Sequence, residues 1–125
     1  SVTLDLVVFD LFTGRAEFYK CGASNTVVKR NGKITDVGFC SVPLGILSNV
    51  EIGMGNGMLN NGDIILMHSD GVREEDDNYL KKQLKKFNNG NVRNFTADLC
   101  ENIRRTQPEK KDDMTVLTLA VTKND

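Results

Sequence analysis

The chain has 125 residues, of which 39% are hydrophobic and 26% charged, and its formal net charge is −1. That length supports one modest domain with one core, and the lack of a basic excess argues against non-specific nucleic-acid binding. No stretch approaches the apolar length of a membrane span and no signal peptide is visible, so a cytoplasmic location is expected.

Val2, Leu4, Leu6 and Val8 alternate with Thr3, Asp5, Val7 and Phe9, the period of a strand. Both faces are largely apolar, which predicts a central strand over Val2–Asp10. A chain that opens directly in a strand reads as a piece cut from a longer protein. Turn chemistry at Thr13-Gly14 leads into a second strand, Arg15–Cys21, and the two form a hairpin. Gly22 to Asn25 breaks the pattern. Thr26–Arg30 and Lys33–Val37 flank Asn31-Gly32, the strongest short hairpin signal in the chain. Pro43-Leu44-Gly45 marks a tight connection, and Val50–Met54 is a weak strand thinned by glycine.

The apolar run from Ile64 to Met67 predicts a buried strand over Asp63–His68, ending in Ser69-Asp70-Gly71-Val72. Arg73 to Asn78 is acidic and reads as a loop, with Asp76-Asp77-Asn78 able to cap a helix. Leu80, Leu84 and Phe87 predict an amphipathic helix over Tyr79–Phe87. Phe95, Leu99 and Ile103 predict another over Asn94–Arg105, capped by Asn94. Lys81, Lys82, Lys85 and Lys86 read as the solvated face of the first helix, or as a docking patch for an acidic partner. After a loop at Pro108–Lys111, Met114–Val121 is the closing strand. The order of elements gives an α+β fold with helices on one side of a sheet.

Chemistry must come from few residues. Cys21, Cys40 and Cys100 have no metal-finger or redox spacing and read as reduced thiols. Gly53-x-Gly55-x-Gly57 lacks the lysine of a phosphate cradle, and no serine sits at a nucleophile elbow. His68, the only histidine, reads as a strand side chain rather than a base. The carboxylates are better placed. Asp70 ends one strand and Asp112-Asp113 open another, and such hard oxygen ligands suit Mg²⁺ or Mn²⁺. Antiparallel pairing of the two strands puts both acids at one end of a sheet; parallel pairing separates them. The alternative reading makes Asp70-Gly71 an ordinary turn and Asp112-Asp113 a solvated strand start.

Four stretches, in order, resemble one family. They are Thr3-Leu4-Asp5-Leu6 through Gly14; Lys20-Cys21-Gly22-Ala23-Ser24 with Lys29-Arg30; Pro43-Leu44-Gly45-Ile46; and Gly62-Asp63 through Val72 with Lys111-Asp112-Asp113-Met114-Thr115-Val116. Together they resemble the C-terminal part of a bacterial metal-dependent (PPM, type 2C) serine/threonine protein phosphatase domain, most like its stage II sporulation protein E branch. The resemblance covers the whole chain, 1–125, as a partial domain. It implies an antiparallel β-sandwich with flanking helices and a two-metal Mn²⁺ or Mg²⁺ site. Residue by residue, it gives Asp70 and Asp112 as metal ligands and Asp113 as a neighbour that orders the site. It assigns no protein nucleophile and no substrate-binding residue. The family's metal-bridging acid would lie upstream of Ser1, so the fragment alone is expected to be inactive or weakly active. The implied substrate is a phosphorylated anti-anti-sigma factor, in sporulation or stress signalling. Two other readings stay open: a non-catalytic domain of the same fold that binds a partner or senses a signal, and a hydrolase of small phosphate esters. Uncovered sheet surface would favour self-association of the fragment, and the parent protein could be membrane-attached through other segments.

Overall fold

The structure, a computed structural model, describes residues 3–38, 53–88, 90–106 and 113–123. The first hairpin joins β1 (Leu4–Phe9) and β2 (Arg15–Cys21), and β5 (Gly53–Met58) pairs with the far side of β2. These make an antiparallel three-stranded sheet in the order β1-β2-β5. The second sheet holds β3 (Thr26–Arg30), β4 (Lys33–Val37), β6 (Ile64–His68) and β7 (Val116–Ala120) in the order β4-β3-β6-β7, again antiparallel throughout. Asn31 and Gly32 take φ of 50° and 77°, the left-handed pair that a two-residue turn between β3 and β4 requires.

The burial of β6 shows how the layers stack. Its odd and even side chains go to different neighbours, as a strand's period of two dictates. Ile65 packs with Ala16 and Phe18 of the first sheet and with Leu59 just past β5, with Val7, Phe9 and Met67 alongside. Ile64 and Leu66 point the other way, into a cluster with Val27, Leu80, Leu84, Leu99 and Ile103. The last four belong to α1 (Glu74–Lys86) and α2 (Val92–Thr106). The molecule is therefore sheet on sheet, with both helices on the outer face of the second sheet, as expected of the α+β sandwich. A strand apolar on both faces is what a middle layer demands.

Several boundaries differ from the sequence expectations. Helix α1 starts at Glu74, so most of the acidic stretch expected as loop is its first turn. Four acids, Glu74 to Asp77, fill that turn, where the helix dipole favours negative charge. Arg73 sits at the N-cap and makes no side-chain cap hydrogen bond, and Asp76-Asp77-Asn78 lies inside the helix rather than at its N-cap. Helix α2 starts at Val92, and its cap is Asn91 rather than Asn94: the Asn94 N–H donates to Asn91 Oδ1 at 3.1 Å. Among the described residues only β2 pairs with β1, so there it is an edge strand rather than the expected central one. Strand β5 continues to Met58, four residues past the expected end; residues 50–52 of that expectation, Cys40 and Pro43-Leu44-Gly45 lie outside the described residues.

Of the lysine cluster, Lys82, Lys85 and Lys86 are exposed, as a solvated face requires. Lys81 is instead half-buried and pairs with Asp77 at 3.1 Å and Asp36 at 2.9 Å, tying α1 to β4. Asp36 and then Asp77, against the cost of burial, raise its pKa above the ordinary lysine value.

Candidate metal centre

The site end of the molecule is built by the β6–β7 ladder. The register runs from Ile64 opposite Ala120 to His68 opposite Val116, antiparallel. Pairing continues one step past the strands: the Ser69 N–H donates to the Thr115 carbonyl at 3.0 Å, and the Thr115 N–H donates to Ser69 Oγ at 2.9 Å. Asp70 follows directly. Gly71 then passes so close to the other segment that a Cβ built on it would lie 2.0 Å from the Asp113 carbonyl oxygen. Only a residue without a side chain allows that approach. The Asp-Gly turn and the acidic start of the β7 segment are thus in backbone contact.

Asp70 is exposed at the mouth of a cleft of about 260 Å³. One wall carries Met67, His68, Ser69 and Thr115, and the other Asp5, Gly22, Ala23 and Ser24. No other described residue hydrogen-bonds or ion-pairs with the Asp70 carboxylate. Asp113 is exposed, and its backbone is what meets Gly71. Asp112 lies outside the described residues. Among the described residues no three His, Cys, Asp or Glu side chains gather as a ready metal site. The donor chemistry still fits a hard divalent ion: a carboxylate beside hydroxyl and carbonyl oxygens, with no thiolate among the described lining residues and both His68 nitrogens engaged elsewhere.

His68 is buried, with Nδ1 2.9 Å from the Ser69 carbonyl and Nε2 3.0 Å from Asp77 Oδ1. Both ring nitrogens are engaged, so the residue ties the end of β6 to the first turn of α1 and leaves none for a base. Cys21 is buried and Cys100 half-buried.

Sequence reasoning missed the opposite wall. Asp5 and Lys20 face each other across the β1–β2 ladder, and Lys20 Nζ lies 2.6 Å from Asp5 Oδ1 and 2.8 Å from the Ser24 carbonyl. Counting along the hairpin finds this pair, because a turn that sets Phe9 opposite Ala16 also sets Asp5 opposite Lys20.

Two stacked antiparallel sheets with two helices match the fold of PP2C-type phosphatase domains. The chain belongs to the stage II sporulation protein E (SpoIIE) family, whose profile matches residues 1–122. It is 28% identical over 129 residues to stage II sporulation protein E of Bacillus subtilis (strain 168), a match covering 98% of this chain and 16% of the relative. A structure of the PP2C phosphatase domain with a fragment of the regulatory domain of SpoIIE from Bacillus subtilis superposes with a TM-score of 0.83 at 28% identity, covering 98% of this chain and 39% of that one. A manganese-presoaked structure of the phosphatase domain from the same bacterium gives 0.81 at 26% identity, covering 98% and 58%. The chain therefore spans less than two thirds of each of these relatives. No helix among the described residues is long and apolar enough to cross a membrane.

Proposed function

We propose that the chain is the C-terminal portion of a single phosphatase domain. In this reading it supplies Asp70 and Asp112 to a Mn²⁺- or Mg²⁺-dependent phosphoserine/phosphothreonine protein phosphatase. One observation supports the reading: the antiparallel β6–β7 register, continued through Ser69 and Thr115 to the Gly71–Asp113 contact, brings the Asp70-Gly71 turn and the Asp113 backbone to one end of the sheet. Membership of the SpoIIE family and the manganese soak of a relative favour a divalent metal there.

When bound, such ions neutralise phosphoryl oxygens and acidify water. The chain's own residues hold and aim. Asp70 presents its carboxylate from a rigid strand end, and the reciprocal Ser69–Thr115 bonds keep it from drifting away from the β7 segment. His68 anchors the same strand end to α1. The proposed substrate is a phosphorylated anti-anti-sigma factor, on the strength of the family alone.

The test uses the full-length protein in Mn²⁺ with a phosphoserine protein. Asp70→Asn and Asp112→Asn should each lower turnover by about 10²-fold or more, the scale of losing a charge that stabilises the transition state. Melting temperature should hold, since neutralising one of two carboxylates that serve one cation relieves repulsion. Full activity in either variant overturns the assignment. The 125 residues alone, offered Mn²⁺ in a calorimeter, should bind it weakly.

A further inference from the structure

The cleft wall opposite Asp70 is held by a charge in an unusual place. Lys20 is fully buried, on the same strand face as the buried Ala16 and Phe18. Lysine is almost never so buried unless paired, and an apolar side chain would fill the space among such neighbours without desolvating a charge. A buried ion pair is a poor source of stability compared with an apolar replacement. Its position is more telling. The ammonium joins the Asp5 carboxylate on β1 to the Ser24 carbonyl in the segment between β2 and β3. Asp5 and Ser24 both line the cleft that Asp70 borders.

We propose that Lys20 and Asp5 are positioning residues that fix the Gly22-Ala23-Ser24 wall, and that the main chain flanking a phosphorylated serine or threonine seats against this wall. This rests on the phosphatase reading and deepens it. At about 260 Å³ the cleft lies below the usual range for small-ligand sites, about 300–1,000 Å³, and suits one side chain. A phosphorylated side chain entering toward Asp70 leaves its flanking backbone outside, beside residues 22–24. A small phosphate ester has no such backbone and gains less from the wall.

The experiment compares Lys20→Met, Lys20→Arg and Asp5→Asn in the full-length protein with Mn²⁺. A phosphoserine peptide and p-nitrophenyl phosphate serve as substrates, and amide hydrogen exchange is followed at Gly22–Ser24. In Lys20→Met the KM for the peptide should rise about tenfold more than the KM for the small ester, within the range that a misplaced wall costs. Exchange at Gly22–Ser24 should quicken, and Lys20→Arg, which restores the cation, should recover both. If Lys20→Met does not fold, Asp5→Asn carries the same readouts. Equal effects on the two substrates, or unchanged exchange at the wall, overturn the proposal. Wild-type protein inert toward both substrates sinks the phosphatase reading instead. The wall is then judged by exchange and by anisotropy with a fluorescent phosphoserine peptide: faster exchange with weaker binding in Lys20→Met supports it, and unchanged values overturn it.

Discussion

Asp63 governs the end of the molecule remote from the cleft. Its buried carboxylate takes Arg30 Nη2 at 2.6 Å and the Asn60 N–H at 2.7 Å, while the same guanidinium reaches the Met58 carbonyl at 2.6 Å. Since Met58 ends β5 and Arg30 ends β3, one carboxylate stitches the two sheets together. Burial pushes the Asp63 carboxyl upward, but Arg30 and the Asn60 N–H outweigh it and hold the pKa below the ordinary 3.8. A carboxyl depressed on folding adds stability that is present above the unfolded value and lost as pH falls through the folded one. Asp63→Asn should therefore cost about 2 kcal/mol at pH 7, the scale of charge-assisted hydrogen bonds. The difference from wild type should vanish as pH drops well below 3.8. Denaturant titrations of both proteins at pH 7 and pH 3 check this; a penalty that persists undiminished in acid contradicts it.

At the scale of elements, α1 is held at both ends from the second sheet. His68 grips its first turn through Asp77. Lys29 of β3 closes its last turn, donating to the carbonyls of Leu84 at 2.9 Å, Lys85 at 3.1 Å and Phe87. A cation there meets the negative end of the helix dipole and satisfies carbonyls that a helix end leaves open. Burial pushes the Lys29 pKa down, so its charge is kept at a cost. Lys29→Met keeps the apolar stem and removes every donor. It should lower stability by about 1–3 kcal/mol and speed amide exchange in the last turn of α1, with little change in the first. Uniform exchange along the helix would refute the capping role. These contacts also explain which parts of the fold were legible beforehand. The alternation of β2, the apolar run of β6 and the apolar stripes of α1 and α2 stand in the sequence because burial selects them. The true start of α1 does not, since four acids after Arg73 read as solvated loop until the dipole they complement is in place. The approach of Asp70 to the β7 segment was legible as a topological condition, and the Asp5–Lys20 pair only through the register of the β1–β2 hairpin.

At the scale of the whole molecule, one side of the sandwich is uncovered among the described residues. Strands β1 and β7 are the outer strands there, and a gap of about 270 Å³ lined by Val7, Phe9, Met67 and Leu117 opens between the sheets. Leu6, Val8, Leu117 and Leu119 are between 41% and 58% exposed. Open edges with apolar side chains invite further strands, and the solved relatives contain more chain than is matched here. The isolated 125 residues should accordingly self-associate as concentration rises. Val8→Lys together with Leu117→Lys should shift sedimentation toward monomer. A wild-type chain that stays monomeric at high concentration would refute this.

The contact between Gly71 and Asp113 has a kinetic consequence. Ser69 and Thr115, which lead into it, are 46 residues apart in the chain. Closing so long a loop is costly until the intervening helices shorten it. The expected order on folding is that β6 and the two helices condense first and the last strand docks afterward. Until that docking, the chain has one strand-end acid and nothing facing it. On the proposed metal-binding reading, Mn²⁺ affinity should come late in folding: a refolding experiment should see it appear with the slowest phase, behind the recovery of helix.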